Sequence, residues 1–390
     1  MIKKTKEKNY NLVMLLLLWG GIVVMSSLYM TIPLIHIFSN YFNSNISNAT
    51  LTSSVFSIFF AIGCLFYGAI SNRYGRKKVI LLGLIFLSIF SLLAGFSSNL
   101  ILLIIFRALQ GLAAATFSPV ALAYIMDFFP SDRKVLAISY ISTGFLMAGI
   151  LGQDISMILS DYFSWKYIFF LFSFIYILTF VILCIFIPAV PITNPNMSII
   201  NNFKDLKNVV KIKNLRYAYI ISFVILLSFV YMYTSLNGLL ENFNLNNNYI
   251  VYINFIGIIG MFFSPLSNKL IKKFNNILVL RFSILLSVVS FMLLGFLNNI
   301  ILLTILSILF VLGIALAVPG LISIIGLLGG KHRANALSLH TFILFLGTSL
   351  APILSTYITN NFGYLVSFIV GAIILFLGVI ATFLIKYNDV

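Results

Sequence analysis

Gly68-Ala-Ile-Ser71-Asn72-Arg73-Tyr74-Gly75-Arg76-Lys77 is followed, in the second half of the chain, by Ser264-Pro-Leu-Ser267-Asn268-Lys269-Leu270-Ile271-Lys272-Lys273. Ser-Asn-basic recurs, with two further basic residues in register. Apolar runs align with one another by chance, but polar residues in register do not. Further matches share a single offset: Asn99-Leu-Ile-Leu-Leu with Asn299-Ile-Ile-Leu-Leu, Pro119 with Pro319, and Arg133 with Arg333. The chain is therefore read as two parallel halves of similar structure.

Both stretches sit between long apolar runs. Of the 390 residues 61% are hydrophobic and 8% charged, against about 25% charged in a soluble domain. This composition excludes an ordinary soluble protein and a disordered chain. Cys64 and Cys184 both lie inside apolar runs, so a disulfide scaffold is excluded and both are read as packing residues. A bilayer-spanning helix takes about 20 apolar residues. Runs of that kind lie at 11–37, 51–70, 79–96, 100–126, 136–160, 167–190, 217–238, 249–267, 277–296, 299–320, 335–358 and 363–385. The fold class expected is an all-α membrane protein, with twelve transmembrane helices in two pseudo-symmetric six-helix bundles. The boundaries expected are an N-terminal bundle over 1–190, a linker over 191–216 carrying Lys204, Lys207, Lys211, Lys213 and Arg216, and a C-terminal bundle over 217–390. The linker has the composition of a short amphipathic helix on the membrane surface. The apolar run after MIKKTKEKNY is too long for a cleaved leader and lacks an A-x-A site, so it reads as the first span.

The net charge of +16 belongs to topology and not to nucleic acid. With the N-terminus in the cytoplasm, every Lys and Arg falls on the cytoplasmic side except Lys166 outside and Arg107 within a span. Positive residues held inside make both termini cytoplasmic and place the protein in a cell membrane as a multi-pass protein.

At Gly68 to Lys78 the sequence resembles the signature of the major facilitator superfamily, G-x-L-x-D-R-x-G-R-K. Gly68, Arg73, Gly75, Arg76 and Lys77 match, and Asn72 stands where the family has an acid. Phe106-Arg107-Ala108-Leu109-Gln110-Gly111 resembles the family's R-x-x-Q-G. Gly144-Phe-Leu-Met-Ala148-Gly149-Ile-Leu-Gly152-Gln153 is a degenerate likeness of the G-x-x-x-G-P-x-x-G-G of drug–proton antiporters, and Ser164-Trp165-Lys166 also looks familial. The resemblance implies the major facilitator fold and secondary transport of a small molecule by rocking of two halves. It points to the twelve-span drug/metabolite–proton antiporter branch. It also implies that Arg76 pairs with Asp127 as a conformational latch and that the Gly144–Ala148–Gly152 stripe packs on span 8.

Several residues carry readings of their own. Gly68, Asn72, Arg73, Gly75, Arg76 and Asp127 make up the expected latch. It lies at loop–helix junctions, where water limits an ion pair to about 1 kcal/mol. Arg107, Gln110, Gly111, Ala114 and Ser118 share one helical face, and an arginine inside a membrane is a functional candidate by default. Asp154 is the carboxylate well inside a span. At 1.5 Å per residue, Arg107 and Asp154 both lie roughly 10 Å below the outer ends of consecutive spans. Arg107, Gln110 and Asp154 are therefore the candidates for proton coupling, with Asp154 exchanging between a proton and Arg107. The other reading of Arg107 is a structural residue bonded to backbone carbonyls. The stripe Gly144, Ala148, Gly152 allows close helix approach. Tyr29, Tyr233, Asn237 and His340 are candidate cavity residues; His36 and His340 read more readily as packing than as proton carriers.

No catalytic constellation, metal cluster or P-loop is present in the sequence, so no enzyme, metal or cofactor is expected and energy must come from a gradient. The expected partners are a small-molecule substrate, protons and the lipid bilayer, with no nucleic acid and a monomeric state. The reading reached is proton-coupled efflux of a drug or metabolite by alternating access. Uptake or facilitated diffusion of a metabolite such as a sugar is the alternative within the family. A non-transporting membrane receptor or scaffold is the alternative of another class, and it has no need of paired loop motifs or a buried arginine.

The charge distribution makes a direct prediction. A cysteine introduced near Lys207 is shielded from impermeant thiol reagents in intact cells, and one near Asn244 is labelled. Labelling at the linker from outside would overturn the twelve-span arrangement.

Overall fold

A computed structural model describes residues 2–192, 208–241, 243 and 247–385; among these residues the chain is helical and contains no strand. The helices are α1 (Ile2–Tyr29), α2 (Ile35–Tyr41), α3 (Ile46–Tyr74), α4 (Arg76–Gly95), α5 (Leu100–Ala114), α6 (Ser118–Phe128), α7 (Ser131–Tyr162), α8 (Lys166–Phe186), α9 (Lys213–Glu241), α10 (Asn247–Phe262), α11 (Leu266–Phe274), α12 (Asn276–Leu294), α13 (Ile300–Leu328) and α14 (Arg333–Leu384). Among the described residues, ten helical segments are long and apolar enough to cross a membrane. The last is two spans joined at Gly363, whose φ of +83° interrupts the helix. The shorter apolar helix Tyr252–Phe262 completes the expected twelve. Of the linker, residues 193–207 lie outside the described residues.

Polar punctuation sets the helix ends. Asn45 accepts a hydrogen bond from the backbone N–H of Asn48 at 2.7 Å, and Asn99 one from Leu102 at 2.9 Å. Asn299 does the same for Ile301 at 2.9 Å and Leu302 at 3.2 Å. Each cap satisfies helix donors that have no partner within the helix. Gly75 (φ +93°) separates α3 from α4, and Asn275 (φ +77°) separates α11 from α12 at the matching position. Glycine reaches this backbone region freely. Asn275 holds it while its side chain accepts from the N–H of Leu278 at 2.9 Å.

The internal repeat extends to burial. Positions 101–120 and 301–320 have the same burial class at every position. Ile101 and Ile301 are each 70% exposed, whereas Leu103 and Leu303 are fully buried. The two copies part at proline. Span 4 breaks between α5 and α6 and places Pro119 in the first turn of α6, whereas Pro319 lies within the continuous α13.

The chain forms two compact units. The first comprises Met1–Pro130, Gly144–Asp205 and Leu337–Thr341; the second comprises Ser131–Thr143, Leu206–Ala336 and Phe342–Val390. The division therefore does not run through the linker alone, because α7 and α14 each give residues to both units.

Within the first unit, small residues let backbones meet. A Cβ on Gly111 of α5 would press into the carbonyl oxygen of Phe56 on α3. Ser88 and Ser173 hydrogen-bond side chain to side chain at 2.9 Å, and Ser91 donates to the carbonyl of Phe169 at 2.9 Å, tying α4 to α8. Within the second unit, Ser287 of α12 donates to the carbonyl of Phe310 on α13 at 2.9 Å. Lipid tails provide no hydrophobic drive between helices, so close packing and such bonds hold the bundles together. Cys64 is buried as expected, but Cys184 is exposed, a correction that follows from its place on the outward face of α8.

The Gly111 contact predicts that Gly111→Ala lowers the thermal unfolding midpoint of the detergent-purified protein, a cost of about 1–3 kcal/mol for overpacking. Gly149→Ala serves as the control, since its Cβ would meet the Tyr29 ring at an ordinary 3.7 Å. Equal midpoints for the two variants would contradict the packing.

Candidate functional site

Arg76 begins α4, directly after the Gly75 turn, and its guanidinium folds back over the end of α3. Nε donates to Asp127 Oδ2 of α6 at 3.1 Å, Nη1 to the carbonyl of Gly68 at 3.0 Å and also to Ser71 Oγ, and Nη2 to Asn72 Oδ1 at 2.5 Å. The side chains of Arg76 and Asp127 are only 3% and 6% exposed. This corrects the expectation of a wetted pair. Such a buried pair is costly to break, because removing one partner strands a charge. Asn72 replaces the family's acid with a neutral acceptor, so the guanidinium keeps its partner at this corner without a second negative charge. Ser71 was not anticipated; it appears in the motif only as a small polar residue. Arg73 stays outside this network, exposed, with its guanidinium 5.4 Å from the ring centre of Tyr74. At the matching place in the second half, Asn276 Nδ2 donates to the carbonyl of Gly320 at 3.2 Å, a neutral version of the same join.

Arg107 is completely buried. Nε donates to the carbonyl of Thr52 on α3 at 3.0 Å, and Nη1 to Gln110 Oε1 at 2.9 Å. Nη2 donates to the carbonyl of Ser27 at 2.9 Å and to Thr31 Oγ1 at 3.1 Å, beyond the end of α1. The guanidinium carbon lies 4.2 Å from the ring centre of Phe56. The charge is thus dispersed over carbonyl and hydroxyl dipoles and one aromatic face, and α1, α3 and α5 are pinned together. Gln110 is also fully buried, and its Nε2 has no hydrogen-bond partner.

Asp154 does not meet Arg107: among the described residues no ion pair joins them, and Asp154 Oδ2 is buried without a hydrogen-bond partner. Helix phase explains this. The Gly144 and Gly152 positions of α7 face α1, where a Cβ would come within 2.5 Å of the Leu18 carbonyl oxygen and 2.8 Å of that of Ser26. Asp154 is two residues past Gly152, about 200° around the helix, and so turns away from α1. Arg107 is directed into α1 and α3. The same contacts place the Gly144–Ala148–Gly152 stripe against α1, where the resemblance implied span 8. Ala148 is fully buried in it.

Of the cavity candidates, Tyr29 is half-buried, with its ring against Gly149 of α7. Tyr233 and Asn237 are half-buried on α9, and Tyr233 Oη, Asn237 Oδ1 and the unanticipated Asn254 Oδ1 of α10 are buried without hydrogen-bond partners. His340 is buried on α14 in the stretch that groups with the first unit, so the four candidates are divided between the units. His36 is exposed on α2. No cluster of metal-ligating side chains occurs among the described residues.

The sequence model of the Major Facilitator Superfamily matches residues 17–328. The chain belongs to that superfamily. A transporter of Buchnera aphidicola subsp. Schizaphis graminum, described as uncharacterized, is 28% identical over 90% of this chain and 85% of its own length. Multidrug resistance protein 3 of Bacillus subtilis is 36% identical over 28% of this chain and 21% of its own. The crystal structure of the human organic anion transporter MFSD10 (TETRAN) superposes with a TM-score of 0.78 at 16% identity, covering 96% of this chain and 99% of that one. The Major Facilitator Superfamily fold thus accounts for nearly the whole chain, and the Arg76 and Arg107 networks are built on its two clearest motifs here.

Asp127→Asn is expected to destabilise the folded protein by about 3–5 kcal/mol, since it leaves Arg76 buried without a countercharge. Asn72→Ala should cost less, because it removes one neutral partner. Exchanging the two charges should restore only part of the loss, as Gly68, Ser71 and Asn72 all accept from a guanidinium. Thermal unfolding of the variants checks this order, and full recovery in the exchanged protein would contradict it.

Proposed function

We propose that the chain is a secondary transporter that exports a small molecule in exchange for protons by alternating access, across a cell membrane and with both termini cytoplasmic. The observation that carries the coupling role is the contrast between its two intramembrane charges. Every guanidinium nitrogen of Arg107 has a partner among Ser27, Thr31, Thr52 and Gln110, whereas Asp154 keeps a buried oxygen without one. Asp154 is therefore the group free to take up and release a proton, acting without a direct exchange onto Arg107. An uncompensated carboxylate is costly inside a bilayer, so protonation is its available remedy. Arg107 and Gln110 hold the α1–α3–α5 framework against which α7 carries that acid.

The Arg76–Asp127 pair acts in this reading as the latch. It joins the start of α4 to the end of α6, and its rupture is the costly step of opening that end. The N-terminal bundle over 1–190 and the C-terminal bundle over 217–390 are the moving parts, linked by 191–216. The export direction rests on the low-identity relatives named for multidrug resistance and on the degenerate antiporter motif around Gly144.

The test is proton movement in proteoliposomes containing a pH-sensitive dye, challenged with ethidium, tetraphenylphosphonium, norfloxacin, nicotinamide and maltose. At least one compound should release protons across an imposed gradient. Asp154→Asn should abolish that release while leaving compound binding measurable. Normal gradient-driven accumulation by Asp154→Asn would show that another group carries the proton.

A further inference from the structure

Among the buried polar atoms of the second unit that have no hydrogen-bond partner are Tyr233 Oη, Asn237 Oδ1 and Asn254 Oδ1. Their helices place them together. Tyr233 and Asn237 are four residues apart on α9 and share a face. Tyr233 Oη rests against Gly257 of α10, at the place a Cβ would occupy. Asn254 precedes Gly257 by three residues, on that same face of α10. The two helices are consecutive spans and run in opposite directions. From the Tyr233–Gly257 contact, Asn237 therefore lies about 6 Å and Asn254 about 4.5 Å toward the 242–246 connection. The two carboxamides stand at nearly one level, on facing helices, one turn from the tyrosine hydroxyl.

Leaving three such groups unmatched in an apolar bundle is unfavourable. All three residues keep part of their surface exposed while the three oxygens are covered, so an occupant reaches them by displacing side chains. The surroundings of the cluster decide the charge of that occupant. No charged residue lies on α9 between Arg216 and Glu241, and none on α10 or α13. Arg281 of α12 is engaged by Thr382 Oγ1 at 3.1 Å and by the Phe383 ring at 3.6 Å.

We propose that Tyr233, Asn237 and Asn254 form a binding subsite for an uncharged group offering two hydrogen-bond donors and one acceptor, as a primary carboxamide or a pair of neighbouring hydroxyls does. The ligand's two donors go to the asparagine oxygens and its acceptor takes the tyrosine proton. A cation finds no carboxylate on these faces and an anion finds no free arginine. The subsite names the substrate class for the transport reading above, but it is tested by binding alone, without a gradient.

The experiment is thermal unfolding of the detergent-purified full chain with four probes: nicotinamide for the carboxamide, maltose for the diol, and tetraphenylphosphonium and benzoate as charged counterparts. A ligand that binds only the folded state raises the midpoint. Nicotinamide or maltose should raise it, and the charged probes should not. Tyr233→Phe and Asn254→Leu should each weaken the active probe about tenfold or more, the loss of one hydrogen bond, with unliganded midpoints unchanged or higher. Asp154→Asn should bind that probe normally, so failure of proton coupling leaves this result intact. A shift by a charged probe alone overturns the proposal. So does the absence of any shift by the neutral probes together with a lowered unliganded midpoint in Tyr233→Phe, which is the signature of a buried structural water.

Discussion

A cation with no carboxylate beside it, fixed in the middle of a lipid-facing bundle, sets the terms for the first unit. Arg107 is tolerated because two backbone carbonyls, a hydroxyl, a glutamine oxygen and the face of Phe56 surround it. The carbonyls of Ser27 and Thr52 accept these extra bonds only if α1 and α3 approach α5 closely, which is why Gly111 lies against α3 one turn from the arginine. Charge and glycine are one arrangement: the arginine supplies the attraction, and the missing Cβ supplies the distance. The neighbouring hydroxyl of Thr31 is itself held by Ser53 at 2.9 Å, so the network continues from α5 through the turn after α1 into α3.

Much of this architecture was legible beforehand, because the signals that encode it are local. Asn99 and Asn299 stood out as matched positions before apolar runs, and both cap their helices. The repeat appeared as polar residues in register, and burial follows it through 101–120 and 301–320. Apolar length gave the spans, including the pair fused at Gly363, where the polar residues around Asn361 mark a boundary that helix periodicity does not show.

What stayed hidden depends on which way a helix is rotated. Depth along the membrane put Arg107 and Asp154 at one level, but pairing also needs azimuth, and azimuth is set by neighbours far away in the chain. The glycine stripe of α7 turned out to seat on α1, and that contact fixed Asp154 on the other side. Burial of the Arg76–Asp127 pair was missed for a related reason. Motif position suggests a wet loop end, whereas the turn at Gly75 folds the guanidinium inward over Gly68 and Ser71. Asn254 escaped notice because a single asparagine in an apolar run has no partner in sequence; only its position across from Asn237 gives it meaning.

The matched burial of the two copies gives this chain an internal comparison. Where burial is matched position for position, a difference in chemistry between paired residues is not required by burial alone. Arg107 is paired with Ser307 and Gln110 with Phe310, each pair in the same burial class. The second copy keeps that burial with a hydroxyl and a phenyl ring in these two places. The second copy is built without such a cation, and the molecule carries within itself the reference against which its own specialisation can be read.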